Sequence, residues 1–283
     1  GAMAPTSFDR PDDAVPRLGV IIPVYNEEKM ISSCIKALKN SFELMGHERK
    51  PKIIVSDGGS SDASVRCARE AGAMVVETKS GDARGRGPCL QRGVASITKE
   101  NGGAVIDTLL FLHVDCVVPS TFFLDLEAYW VEHRPQIGFC KMKFTSEGIG
   151  LRLFEYLATF ESIFTTFGDQ GLVVSRKLYE KIGGFPNQVL LEDVAFLRRA
   201  RRTCRIHPLP MTLSVSARKF DERGVITYMI QCCVILTLYV VCGASPQSLA
   251  KLYSDAYFLR RPCTLFIGLL LGAVSVAAVL MSF

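Results

Sequence analysis

The sequence predicts an α/β domain built on a mainly parallel sheet flanked by helices. Three observations carry that expectation. Short runs of Val, Ile and Leu alternate with amphipathic stretches from Leu18 to Asp115. Those runs are nearly continuous in apolar character, as strands buried on both faces are. Gly, Asp and Ser gather where the runs end, the places where parallel strands hand over to helices.

Residues 1–16 are polar and Pro-rich and read as a flexible tail. They lack a secretory signal pattern, and the opening Gly-Ala-Met carries no fold information. LGVIIPVYN (18–26), broken by Pro23, reads as a buried strand ending in a loop. EEKMISSCIKALKNSF then places Met30, Ile31, Cys34, Ile35, Leu38 and Phe42 on one helical face. KIIVSDGG (52–59) is a second strand and turn. SSDASVRCAREAG opens a helix with Ser and Asp available as N-caps and closes it at Gly72. MVVET (74–78) is a third strand, GPCLQRGVASITKENGG another helix, and DTLLFLHVD a fourth strand.

After Pro119 the pattern changes. A helix, TFFLDLEAYWVEH, leads to an antiparallel piece, IGFCKMKF (137–144). LRLFEYLATFESIFTTF (151–167) has apolar and aromatic residues at helical spacing, read here as core packing. Residues 17–222 form the main domain on this reading. Residues 223–257, with VITYMIQCCVILTLYVVCG interrupted by Gln231, are membrane-interfacial or packed helices. Residues 258–283 are expected to form a transmembrane helix. Thr264–Phe283 carries no charge and, at ~1.5 Å per residue, spans ~30 Å. Arg260 and Arg261 precede it, which would keep the main domain on the cytosolic side.

Composition narrows the partners. A net charge of +5 is modest, and the cations are not interleaved with aromatics, so nucleic acid is not an expected partner. Ten cysteines are scattered without any CxxC, which fits neither a zinc site nor a disulfide framework and suggests reduced thiols.

In open α/β sheets, ligands bind at the carboxyl ends of the strands. Those ends carry Pro23-Val24-Tyr25-Asn26-Glu27, Ser56-Asp57-Gly58-Gly59-Ser60-Ser61-Asp62 and His113-Val114-Asp115. Gly58 and Gly59 let the backbone approach a ligand, and Asp57 can accept hydrogen bonds from a base or ribose. No G-x-G-x-x-G opens the first helix, and GRGP (85–88) follows the third strand and contains Pro. A dinucleotide fingerprint is unsupported and P-loop chemistry is absent.

IPVYNEE, VSDGGSSD, FLHVD and GGFPNQVLLEDVAFLRRAR, in this order, resemble the motifs of family 2 glycosyltransferases, which have the GT-A fold. The closest likeness is to a subgroup of small family 2 glycosyltransferase-like proteins with LHAD, GDQ and MEDVELSRR-type motifs. The matching stretches are GRGPCLQRG (85–93), LHVD (112–115), GDQG (168–171) and LEDVAFLRR (191–199). SARKFDERGV and GASPQSLAKLY also resemble the subgroup's tail, so the likeness covers about residues 18–253. It implies a Rossmann-like nucleotide-binding half plus an acceptor half, followed by C-terminal hydrophobic helices.

The resemblance implies transfer of a sugar from a nucleotide-sugar, a UDP-, GDP- or dTDP-sugar, most often with inversion. Pro23, Tyr25 and Glu27 would lie against the nucleotide, with Asp57 reading the base and Arg86 near the phosphates. Asp115 matches the last acid of the family's DxD motif, which holds Mg²⁺ or Mn²⁺ on the diphosphate; His113 takes its first position, where it could donate to a donor phosphate, bind the ion when neutral or shape the strand end. Such an ion keeps several waters, so one carboxylate plus the diphosphate can suffice. Glu192-Asp193 matches the family's ED pair, whose Asp is the general base; by itself the pair would also suit helix N-capping. Asp169 and Gln170 would bind acceptor or order the site, and Arg218 and Lys219 would clamp the diphosphate. Gln91 and the Gly-Pro-Cys before it depart from the subgroup's pattern, which bears on donor selectivity. The acceptor is open, and a hydrophobic tail makes a lipid-linked one attractive. Two rivals stand beside this reading: a nucleotidyltransferase on a similar sheet, and a non-catalytic scaffold that keeps the fold.

Overall fold

The structure is a computed structural model that describes residues 15–45, 50–97 and 106–254. The expected transmembrane helix at 258–283 lies outside them, as does most of the expected N-terminal tail.

The first half alternates as the sequence predicts. Strands β1 (Leu18–Val24), β2 (Lys52–Asp57), β3 (Met74–Val76) and β4 (Thr108–Phe111) are separated by helices α1 (Ile31–Phe42), α2 (Ser64–Glu70) and α3 (Arg86–Ile97). A short strand β5 (Cys116–Val117) and helix α4 (Phe122–His133) follow. The second half comprises β6 (Ile137–Phe144), α5 (Ile149–Leu157), a 3-10 turn at Gly168–Gln170, β7 (Leu172–Ser175), α6 (Arg176–Lys181), α7 (Glu192–Arg201) and β8 (His207–Val215). Three helices close the described chain: α8 (Arg218–Arg223), α9 (Val225–Val240) and α10 (Pro246–Ser254).

All eight strands join one sheet in the order β3-β2-β1-β4-β7-β6-β8-β5. From β3 to β4 the pairing is parallel. β7 runs antiparallel between β4 and β6, and β8 lies parallel to β6 and antiparallel to β5. Pro23 is tolerated in β1 because β4 stops pairing at Ile21↔Phe111, before the missing N–H would be wanted there. Successive side chains of one strand feed opposite cores, as the two-residue period of a strand demands. Val20, Ile22 and Val24 pack with Ile35 and Leu38 of α1, whereas Ile21 joins Leu90 and Val94 of α3 on the other face. In β4, Leu110 goes to the first core, Leu109 and Phe111 to the second.

The differences from expectation cluster beyond residue 119. IGFCKMKF is antiparallel to β7 but parallel to β8, so the antiparallel expectation holds on one side only. The stretch 151–167 is not one packed helix. α5 ends at Leu157, and its only buried residue is Leu151, while Ile149, Leu153 and Tyr156 face outward. The core-packing reading of that stripe is corrected: the aromatic residue that does pack, Phe154, meets Phe144 and Phe220. β7 and β8 escape the sequence reading. β8 carries Pro208 and Pro210, which normally argue against a strand, but both side chains are exposed while Leu209, Met211, Leu213 and Val215 are buried. α9 packs through Tyr228, Val225, Met229 and Cys232 on the main core. Among the described residues no helix is long and apolar enough to cross a membrane.

Candidate active site

The loops after β1 and β2 form a single cross-stitched platform. The backbone N–H of Asn26 donates to Ser60 Oγ (2.9 Å), that of Glu27 to Ser64 Oγ (2.7 Å) and that of Glu28 to Asp62 Oδ2 (3.1 Å). In return Ser61 N–H donates to Asn26 Oδ1 (2.8 Å) and Ala63 N–H to Glu28 Oε2 (3.0 Å). Asn26 adopts a left-handed backbone conformation to do so (φ 54°). α2 has no side-chain cap from its N-cap residue, Ala63; instead Asp62 Oδ1 accepts from the N–H and hydroxyl of Ser64. Asn26, Glu28 and Asp62 thus hold the platform, roles the sequence motifs contain but do not announce.

Tyr25 projects from this platform and is 63% exposed, a free aromatic face for a base. A Cβ at Gly58 would meet Val24 O at 3.2 Å and the Tyr25 ring at 3.7 Å, so bare backbone keeps the ring seated. Asp57 is buried and its carboxylate accepts from Gly59 and Ser60 N–H (2.8 and 3.0 Å) within its own turn. Arg92, which the sequence reading passed over, donates to Thr78 Oγ1 (2.6 Å) and Ala83 O (2.8 Å), binding α3 to the rim.

The second group of residues meets where α3, the end of β4 and the start of α7 converge. Pro23, Arg86, His113, Gly168, Glu192 and Asp193 line one small cavity. Arg86 Nε donates to buried Glu192, Nη1 lies 2.8 Å from His113 Nε2, and Nη2 lies 3.5 Å from Asp193 Oδ2. An arginine nitrogen can only donate, so His113 Nε2 is the acceptor in this contact. Burial works against the Arg86 charge, but Glu192 and Asp193 outweigh it and raise the pKa above the ordinary arginine value. Asp193 Oδ2 accepts from Gly168 N–H and Oδ1 from Val194 N–H, both at 2.8 Å. Oδ2 also faces Arg86, while Oδ1 keeps a second lone pair for a further proton or donor.

The backbone that aims this pair is itself constrained. Leu191, at the N-cap of α7, sits at φ 60°, a conformation that costs a branched residue energy and turns Glu192 and Asp193 inward. The preceding loop is pinned by Arg199, which donates to Ile182 O (2.7 Å) and to Gly184 O. Gln91 donates to Phe185 O, so the amide that departs from the subgroup's pattern ties α3 to this loop.

Asp115 lies past β4, in the turn before β5. Its charge reaches Cys34, Cys116 and Arg218. Burial, with Asp115 added, pushes the Cys34 thiol up to about 12, and Cys116 rises well above the ordinary value for the same reasons, with Asp169 contributing. Both thiols are therefore inert. Arg218, at the start of α8, donates to Glu27 Oε1 (3.2 Å) and spans the platform and the Asp115 turn. That hydrogen bond and charge raise the Arg218 pKa. The side chain of Lys219, expected to join it, lies outside the described set. Gln170 is fully buried, accepting from Phe167 N–H and donating to Ala158 O, both at 2.8 Å. These two bonds tie the 3-10 turn to the end of α5.

Among the described residues no three or more His, Cys, Asp or Glu side chains gather as a ready-made cation site. The Asp115 turn offers one carboxylate of the hard-oxygen kind that Mg²⁺ and Mn²⁺ favour, the rest of the shell being left to diphosphate and water. His113 Nε2 is taken by Arg86 and is not offered to an ion.

Residues 19–176, more than half of the chain, match the glycosyl transferase family 2. The chain belongs to that family. It is a glycosyltransferase with the GT-A fold, and solved structures agree with that architecture. A mannosyltransferase, PcManGT from Pyrobaculum calidifontis, in complex with GDP-Man and Mn²⁺, superposes with a TM-score of 0.60 at 17% identity, covering 96% of this chain and 77% of that one. S. aureus TarS 1-349, in complex with UDP-GlcNAc, gives 0.55 at 18% identity over 86% of this chain and 72% of that one. Glucosyl-3-phosphoglycerate synthase from Mycobacterium tuberculosis, with Mn²⁺, UDP and phosphoglyceric acid, gives 0.53 at 20% identity over 82% and 84%. A comparison with curated proteins found no match. The mainly parallel first half of this chain and its mixed second half meet along the β4–β7 pairing, beside the cavity described above.

Proposed function

We propose that this glycosyltransferase moves a sugar from a nucleotide-sugar, a UDP-, GDP- or dTDP-sugar, to an acceptor presented at a membrane surface, with inversion and with Mg²⁺ or Mn²⁺. The observation that carries the reading is the convergence of Arg86, His113, Glu192 and Asp193 from three distant motifs on one cavity beside the strand ends. Nucleotide-sugars and Mn²⁺ in complexes of proteins with the same fold support the donor and the ion. The four motifs of the small LHAD-type subgroup support assignment there.

On this reading Tyr25 stacks on the base, Asp57 orders the turn that receives it, and Pro23 shapes the floor. Asp115 would hold the divalent ion, which when bound stabilises the departing diphosphate. Arg218 exchanges Glu27 for a phosphate oxygen. Asp193 takes the acceptor hydroxyl proton while that oxygen attacks the anomeric carbon and the bond to the diphosphate breaks. Glu192 positions Arg86 and so keeps a positive charge beside the leaving phosphates. Asp169, within the field of Arg86, marks the acceptor side. The uncharged Thr264–Phe283 stretch after Arg260 and Arg261 supports attachment to a membrane with the catalytic domain on the cytosolic side.

The test is calorimetry of the purified chain against UDP-, GDP- and dTDP-sugars with and without Mn²⁺, followed by donor hydrolysis. One nucleotide should bind, more tightly with the ion, and Asp115→Ala should remove the ion's contribution. Equal affinity of both proteins under both conditions would overturn the cation site; no binding of any donor would favour a scaffold.

A further inference from the structure

α5 is a nine-residue helix whose apolar side chains face the wrong way for a core. Ile149 is 91% exposed, Leu153 53% and Tyr156 62%, while the one buried residue is Leu151. At 3.6 residues per turn, positions 149, 153 and 156 fall within about 60° of one another on the helix surface. Arg152 is exposed at the edge of this stripe, beside Glu147 (3.8 Å). The opposite side is fixed: Glu155 accepts from Phe144 N–H at 2.6 Å, and Phe154 packs on Phe144 and Phe220. The stripe is held outward by these contacts.

α9 continues the surface. A Cβ at Gly150 would touch Val225 at 2.9 Å, so the two helices are in close contact, and the next residue of α9, Ile226, is 72% exposed. α10 is tied to α9 through Gln231 and Arg223, and from its end at Ser254 the chain runs on toward Thr264–Phe283, which carries no charge. α5, α9 and α10 are therefore joined in one helical layer.

We propose that this face, Ile149, Leu153 and Tyr156 of α5 with Ile226 of α9, rests in the interfacial region of a lipid bilayer. Two features choose a bilayer over another protein. The stripe is narrow and edged by Arg152, as helices lying in the headgroup boundary are. The sequence that follows α10 also holds an uncharged stretch long enough to span hydrocarbon. The consequence concerns the acceptor: Gln170 joins the end of α5 at Ala158 to the 3-10 turn whose Gly168 N–H donates to Asp193. An α5 seated on lipid keeps the membrane next to the element that is tied to the Asp193 turn, which suits an acceptor hydroxyl carried on a lipid. That consequence rests on the glycosyl-transfer reading; the contact itself does not.

The full chain carrying Leu153→Trp is reconstituted in phosphatidylcholine vesicles with plain or brominated acyl chains, beside a Leu44→Trp control. Trp130 is the only native tryptophan and is buried, giving both variants the same background. The expected result is a blue-shifted emission from the indole introduced on α5, falling by roughly half in brominated vesicles, as for a side chain ~5–10 Å into the boundary. The control should be unaffected. Co-flotation without quenching of that indole would overturn the proposal, showing that the tail alone attaches the protein. A blue shift that depends on protein concentration and ignores bromine would overturn it in favour of a second copy on the face. Donor calorimetry on the same samples separates failure here from failure of the catalytic reading.

Discussion

Arg86 donates to Glu192 and His113 while lying near Asp193, so its loss strands a buried carboxylate. Glu192 is 3% exposed at the side chain and Arg86 35%. Breaking a fully buried pair costs ~3–5 kcal/mol; with a third of the arginine in solvent, Arg86→Met should cost about 2 kcal/mol in urea unfolding. Arg86→Met combined with Glu192→Gln should recover most of that loss, and no recovery would show that the pair is not its cause. Asp193→Asn keeps an oxygen for Gly168 or Val194, so the fold should hold and donor affinity should persist. Transfer should fall at least ~100-fold, the scale of a lost general base. Normal turnover in that variant would remove Asp193 from the mechanism. The ED pair, LHVD and the loops after β1 and β2 stood out in the sequence because each is compact and ordered. Arg86's hold on Glu192 did not, since 106 positions separate them and no local pattern pairs them.

At the scale of elements, the stitching between the β1–α1 and β2–α2 loops gives a pH signature. Slight desolvation raises the Asp62 pKa, but hydrogen bonds from Ser64 and from Glu28 N–H outweigh it, so the folded value lies below the ordinary one. A depressed carboxylate contributes stability above its unfolded pKa of ~3.9 and loses it as pH falls through the folded value. The stability difference between the wild type and Asp62→Asn should therefore be present at neutral pH, begin to shrink below pH ~4 and vanish once the pH has passed the folded value, in denaturant titrations. The strands up to β4 were readable because their apolar runs are unbroken. β8 was hidden by prolines whose ring positions face solvent, and α5 by a stripe whose period suits a core but whose partner side is taken by Glu155 and Phe154. Periodicity reports that a helix has an apolar face; it does not say what that face meets.

For the whole molecule, the C-terminal helices are joined to the domain by a polar node inside an apolar layer. Gln231 donates to Leu252 O and Tyr253 O, and accepts from Arg223, whose guanidinium lies 5.1 Å from the Tyr253 ring centre. Gln231→Leu leaves those carbonyls without the amide and should cost ~1–3 kcal/mol. Amide exchange should quicken in α10 first, while β1–β4 remain protected; uniform acceleration would mean that the node supports the entire fold. The interrupted apolar run at 225–243 showed that something polar sat there, but its partners lie in α8 and α10. The sheet order has a last consequence, in the time domain of synthesis. β5 has one strand neighbour, β8, and Asp115 O receives Ser216 N–H at 3.3 Å. At ~5–20 residues per second, roughly 5–20 s pass between the emergence of Asp115 and of the strand that holds its turn. A nascent chain can thus complete β1, β2 and β3 early, yet the Asp115 turn lacks its bond to Ser216 until the ribosome has passed residue 216.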